Sequence, residues 1–141
     1  MQLIIPFLEA ANLIKSKSGQ TINLSTVDEK TVKVGYRIQK RIPILGDISK
    51  EFSLNLTYKG LVNEVLKLSY SADAVGIDLI IKGLLAIVSS LVEQKVVEIG
   101  ENNLLLVHLD KIENVHKALQ QIDVEDIRFQ EGMAVADFHI K

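Results

Sequence analysis

The side chains that could do chemistry in this chain are three histidines, a run of carboxylates and a pair of serines. His108 and Asp110 stand two apart in a stretch that alternates as a strand does and so point the same way, while His116 falls in a short helical stretch and His139 on the polar side of a closing strand. A metal site needs such groups to converge with a third ligand, and neither His-x-x-x-His nor His-Glu-x-x-His occurs. The histidines read as exposed strand residues, with no metal. Asp123, Glu125 and Asp126 offer an acid pair or a calcium site, but their crowding just before a strand reads more simply as a solvated turn. Ser89–Ser90 lies in the middle of a helical pattern, far from any base, and no Gly-x-Ser-x-Gly elbow is present. The stretches LGDISK and EGMAVAD lack the phosphate-loop and dinucleotide glycines. With no cysteine among 141 residues, thiolate nucleophiles, disulfides and Cys-ligated metals are excluded. Residue types thus point to a non-catalytic protein without a cofactor.

Charge narrows the partners. Sixteen Lys and Arg against eighteen Asp and Glu leave a net charge of −2, too little for a general electrostatic grip on nucleic acid. The distribution is less even: residues 30–41 hold Lys30, Lys33, Arg37, Lys40 and Arg41 with no acid, and nine acids and four bases follow from Glu98 onward. Such a basic surface strip could meet an acidic partner or anionic lipid headgroups, or it could be a solvated face protecting a strand edge. Near Met1 and Gln2 there is no basic stretch of the kind that opens a secretory signal, Pro6 interrupts the apolar run and Glu9 closes it. A cytoplasmic protein is the expectation.

The elements follow from periodicity. Phe7, Leu8, Ala11 and Ile14 predict a short helix from about Pro6 to Lys15 within an N-terminal segment 1–19. A β-meander over 20–71 comes next, with a hairpin at 20–39, a second pair from Phe52 to Tyr58 and Leu66 to Tyr70 turning at Lys59–Gly60, and RIPILGDIS as a connection or edge segment. Residues 73–95 read as one long helix of roughly 34 Å. Residues 96–141 supply two short strands joined through Gly100–Asn103, a helix over Glu113–Gln121 and a closing hairpin turning at Glu131–Gly132. The predicted fold is a single α+β domain, 1–141, in which a curved antiparallel meander wraps one long apolar helix.

That helix carries the functional expectation. Ile77, Ile80, Ile81, Leu84, Leu85, Ile87, Val88, Leu91 and Val92 cover about half its circumference, wider than the stripe of a helix lying on a flat layer. Asp78 and Lys82 inside it argue against a transmembrane span. Gly76 and Gly83, seven apart, suggest close approach or a groove. Four coverings compete: a membrane, a plain core, an apolar ligand and another subunit. The leading expectation is a lipid-like or other hydrophobic ligand against Gly76, Ile80, Gly83, Leu84, Ile87 and Leu91, and the competing class is a structural or assembly module whose groove a partner fills.

A long aliphatic helix cradled by a meander, followed by LVHLDKIENVHKALQQIDVEDIRFQEGMAVADFHIK with its I-x-I-x-x-I-x-F-x-x-G hairpin, resembles the tubular lipid-binding superfamily over residues 20–141. The resemblance implies binding of lipid or fatty-acyl molecules or, in some members, assembly scaffolding without lipid. Family modules are usually longer, so it also implies a half-tube closed by a homodimer or partner protein. The hotdog fold of acyl thioesterases and dehydratases is the runner-up, with only Asp73 or Asp78 available as its acid.

Overall fold

The computed structural model describes residues 1–42, 46–72, Leu85 and residues 96–141, with backbone alone for 38–42 and 47–50. Alternation builds the larger sheet. β2 (Ile22–Asp28), β3 (Thr31–Ile42), β4 (Gly46–Val62), β5 (Val65–Ser71), β6 (Val97–Ile99) and β7 (Leu104–His108) pair antiparallel in the order β2-β3-β4-β5-β7-β6. Val34 stands opposite Leu54, and Tyr36 opposite both Ile22 and Phe52. One face of the sheet is therefore apolar, and Leu54 at its centre is fully buried. Burying each such side chain contributes about 1.5–3 kcal/mol. Behind this face lies α1 (Phe7–Ser18), whose Ala11 and Ile14 pack on the cluster and whose Gly19, at φ 74°, closes the helix by donating to the Lys15 carbonyl.

A smaller sheet joins the ends of the chain. β1 (Gln2–Pro6) pairs with β9 (Met133–Ile140), which pairs with β8 (Ile122–Gln130), again antiparallel. The turn between β2 and β3 fastens the sheets together. Thr26 Oγ1 donates to the Gln130 carbonyl at 2.6 Å and the Phe129 N–H to the Glu29 carbonyl at 2.7 Å, while Lys30 Nζ reaches the Asp126 carboxylate, the Ile127 carbonyl (2.9 Å) and the face of Tyr58 (5.4 Å). A short second helix, α2 (Glu113–Leu119), follows a 3-10 turn at Leu109–Lys111.

This corrects the expected fold class. The chain is mostly antiparallel β-sheet divided into two sheets, and among its described residues the helices are short and no long apolar helix is evident around which one meander could wrap. Of the segment 73–95 only Leu85 is described, a helical residue packed on the core cluster. Gly76, Ile80, Gly83, Leu84, Ile87 and Leu91, with Asp73 and Asp78, lie outside the described residues, as do Ser89–Ser90 and 43–45 of RIPILGDIS. Three local readings also change. β1 precedes the N-terminal helix, where no strand was predicted. The β4–β5 hairpin turns at Asn63–Glu64, both left-handed at φ 52° and 63°, whereas Lys59 is the extra residue of a bulge and Gly60 pairs with Lys67 beyond it. Asp123, Glu125 and Asp126 lie within β8 and not in a turn, and the bulge between Val124 and Asp126 sets Asp126 against Lys30.

Candidate functional site

Each histidine has at least one carboxylate partner, and the three histidines lie in different places. His108 ends β7 and faces Glu98 of β6 at 2.9 Å, while Asp110 falls in the 3-10 turn, so the two do not share a strand. His116 Nδ1 on α2 meets both oxygens of Glu64, at 2.8 and 3.0 Å, and its Nε2 meets Gln120 at 3.1 Å. His139 lies between Glu125 (2.5 Å) and Asp123 (3.2 Å). Among the described residues no three His, Asp or Glu side chains gather as a metal-binding group. Each imidazole clasps two elements together: β6 to β7, the β4–β5 turn to α2, and β8 to β9.

The residues of the basic strip are spread by the sheet. The pairing of β2 with β3 reaches Tyr36, so from Arg37 to Ile42 β3 runs on with β4 as its one partner among the described residues. Glu51 stands opposite Arg37, with 3.9 Å between guanidinium and carboxylate, and Asp47 is the register partner of Arg41, Ile48 that of Lys40. Acids absent from residues 30–41 are thus returned by the neighbouring strand. Lys33 is exposed on the solvent face of the sheet, where a hollow of about 410 Å³ opens beside it. Gly35, without a side chain, leaves a dip between Asn23 and Ser53, and Ser25, Lys33 and Glu51 stand around it. Its lining sets Phe52 among Asn23, Ser25, Lys33, Glu51 and Ser53, polar residue types whose apolar atoms also face the hollow.

Ionisation is shifted at the seam between the sheets. The Lys30 ammonium, hydrogen-bonded to Asp126, holds that carboxyl below its ordinary 3.8. Partial burial of Tyr58, with the Asp126 charge nearby, pushes its phenol above the ordinary 10.0.

The surface that departs most from a solvated one is the edge strand β1. Leu3, Ile4 and Ile5 are 53, 51 and 43% exposed, although successive residues of a strand point to opposite faces. Both faces of this edge are therefore apolar. Phe7 N donates to the Gly132 carbonyl and Phe138 N to the Met1 carbonyl, so the odd-numbered residues bond to β9. The N–H and C=O groups of Gln2 and Ile4, and the Pro6 carbonyl, consequently point to the outer side, where no described strand pairs with them.

The other edges carry protection that β1 lacks. β8 has Asp123, Glu125, Asp126 and Arg128 and is covered in part by the β2–β3 turn; β6 is three residues long with Glu98 at its centre; β2 includes Asn23, Ser25, Thr26 and Asp28. In β1 and the first turn of α1 no charge appears before Glu9, and Pro6 is the only blunting residue. Leu8, in that turn, adds a further side chain 73% exposed. The residues that sequence reasoning singled out do not include this strand, because an apolar run without alternation, ending in proline, reads as the approach to a helix. Comparison with protein-family models, curated proteins and solved structures finds no match for this chain.

Proposed function

We propose that this chain is a non-catalytic assembly module that engages another polypeptide by strand addition at β1. The observation that carries the reading is an uncharged edge strand, apolar on both faces, whose outward backbone groups at Gln2 and Ile4 have no described partner. Strand addition would supply those groups with hydrogen bonds and cover Leu3, Ile4 and Ile5 together. Of the two roles implied by the resemblance to tubular lipid-binding domains, assembly scaffolding is the one this edge supports. The ligand reading rests on residues of 73–95 that lie outside the described residues.

A photo-crosslinking amino acid placed at Ile4, with Lys59 on the exposed side of β4 as control, tests the reading in native extract. Polypeptide adducts should form at position 4 and not at position 59. Equal yields at the two positions would remove β1 as the contact surface.

A further inference from the structure

We infer that the occupant of this edge is a second copy of the same chain, paired antiparallel about a two-fold axis at Ile4. The inference rests on the reading of β1 as the contact surface and adds its partner and register. Identical strands related by a two-fold axis across their shared edge must run antiparallel. In the segment QLIIP, residues 2–6, such an axis at Ile4 places Leu3 against Ile5 of the second copy and Ile4 against its own equivalent. Apolar side chains of similar size then meet on both faces, the cross-strand match that stabilises an antiparallel pair.

The backbone fits the same register. Ile4 presents both its N–H and its C=O outward, so the two copies of Ile4 can exchange hydrogen bonds across the axis. The outward N–H of Gln2 falls opposite the outward carbonyl of Pro6 in the second copy. Pro6 has no N–H to return, which leaves the Gln2 carbonyl to water. Proline thus limits the pairing to a short stretch without preventing it.

Charge favours a second copy over a charged partner. β1 offers no charged side chain to attract one, and two copies bring no like charges together along the seam. The nearest acid in register, Asp137 opposite Gln2, is paired with Arg128. The result is a continuous sheet, β8-β9-β1 followed by β1-β9-β8 of the second copy. Covering Leu3, Ile4 and Ile5 in both copies removes at most about 600 Å², below the roughly 1,200 Å² at which standard specific interfaces begin. The dimer is accordingly a weak one, populated only at high protein concentration.

The absence of cysteine makes the register directly testable, because each introduced thiol is unique. The axis sets the two Ile4 Cα atoms about 5.5 Å apart and Leu3 about 4.5 Å from Ile5 of the second copy, inside the roughly 4.4–6.8 Å that a disulfide spans. Leu3 lies farther than that from its own equivalent. In a glutathione redox buffer at protein concentrations on the order of 100 µM, Ile4→Cys should form disulfide dimer at least tenfold faster than the control Lys59→Cys. An equimolar mixture of Leu3→Cys and Ile5→Cys should give the mixed dimer, with little from either alone. Sedimentation of the unmodified chain should show concentration-dependent dimer that Ile4→Lys abolishes, with an unchanged far-UV circular dichroism spectrum.

A monomer at every concentration, with equal oxidation of the Ile4→Cys and Lys59→Cys variants, overturns the second copy as occupant. If the position 4 crosslinker still captures a different polypeptide, the contact surface stands and only the occupant is wrong; if it captures nothing, both fall. Preferred self-oxidation of Leu3→Cys overturns the register.

Discussion

Lys30 stands in the turn between β2 and β3 and reaches groups on two other strands: Asp126 and Ile127 of β8 and the ring of Tyr58 in β4. Replacing it with Met keeps an apolar stem over the ring and removes both polar contacts. The Lys30 and Asp126 side chains are 40 and 44% exposed, so solvent screens the ion pair and the expected loss is about 1 kcal/mol, measured by urea denaturation. Its pH dependence identifies the partner. Folding holds Asp126 below its ordinary 3.8, so its contribution is fully present above that value and is lost as the pH falls through the lower folded one. The stability difference between wild type and Lys30→Met should therefore be flat from neutral pH down to about pH 4 and shrink below it. A difference unchanged at about pH 2.5 would exclude Asp126 as the partner. None of this was legible locally: Asp126 looked like one of three solvated acids because its partner lies 96 residues away, and alternation says nothing about contacts at such separation.

At the scale of elements, the hairpins were legible where polar and apolar residues alternate strictly, as in Thr31–Gln39 and Phe52–Tyr58, because that pattern has one way to bury its apolar side. The β4–β5 turn was displaced because Gly60 attracts a turn assignment while Asn63–Glu64 does not. Glu64 is an unusual residue at φ 63°, a conformation that strains a side chain by roughly 1 kcal/mol. Its carboxylate meets His116 on α2, and its carbonyl accepts from the Leu109 N–H. The strained position thus ties a hairpin to a helix of seven residues, too short to hold itself. Glu64→Gly should separate the two effects. Amide exchange in β4 and β5 should stay unchanged or slow, while protection of residues 113–119 falls about tenfold, the equivalent of roughly 1.4 kcal/mol. Equal loosening of hairpin and helix would mean that the carboxylate serves the turn and not α2. β1 was illegible for the opposite reason to the hairpins: three consecutive apolar residues fit a strand only if both faces meet apolar surroundings, which a single chain read alone does not reveal.

For the whole molecule, the division into two sheets depends on the first strand pairing with the last, information that no local pattern carries. The sheets remain joined through α1, whose Phe7 packs on Phe129 at 6.3 Å between ring centroids while Ala11 and Ile14 pack on the larger core, and through the bonds of the β2–β3 turn. The sequence supplies separate optical reporters for this coupling. All three tyrosines lie in the six-stranded sheet and tryptophan is absent, so Phe138→Trp in β9 reports the smaller sheet alone. In that variant, tyrosine absorbance and tryptophan fluorescence should follow one coincident urea transition, as expected of a single cooperative unit. Adding Thr26→Val and Lys30→Met removes the side-chain bonds across the seam and leaves α1 as the main joint. The tryptophan transition should then precede the tyrosine transition by roughly 0.5–1 M urea, because the smaller sheet loses about 1–2 kcal/mol of external support at a typical denaturant slope. Early loss of the smaller sheet would also disorder β1 and its open edge, so in this variant association should fail at the urea concentration where tryptophan fluorescence changes and before the tyrosines respond. Coincident transitions in the triple variant would show that α1 packing and the remaining Phe129–Glu29 backbone bond keep the two sheets one unit, with the Thr26 and Lys30 side-chain bonds adding stability without cooperativity.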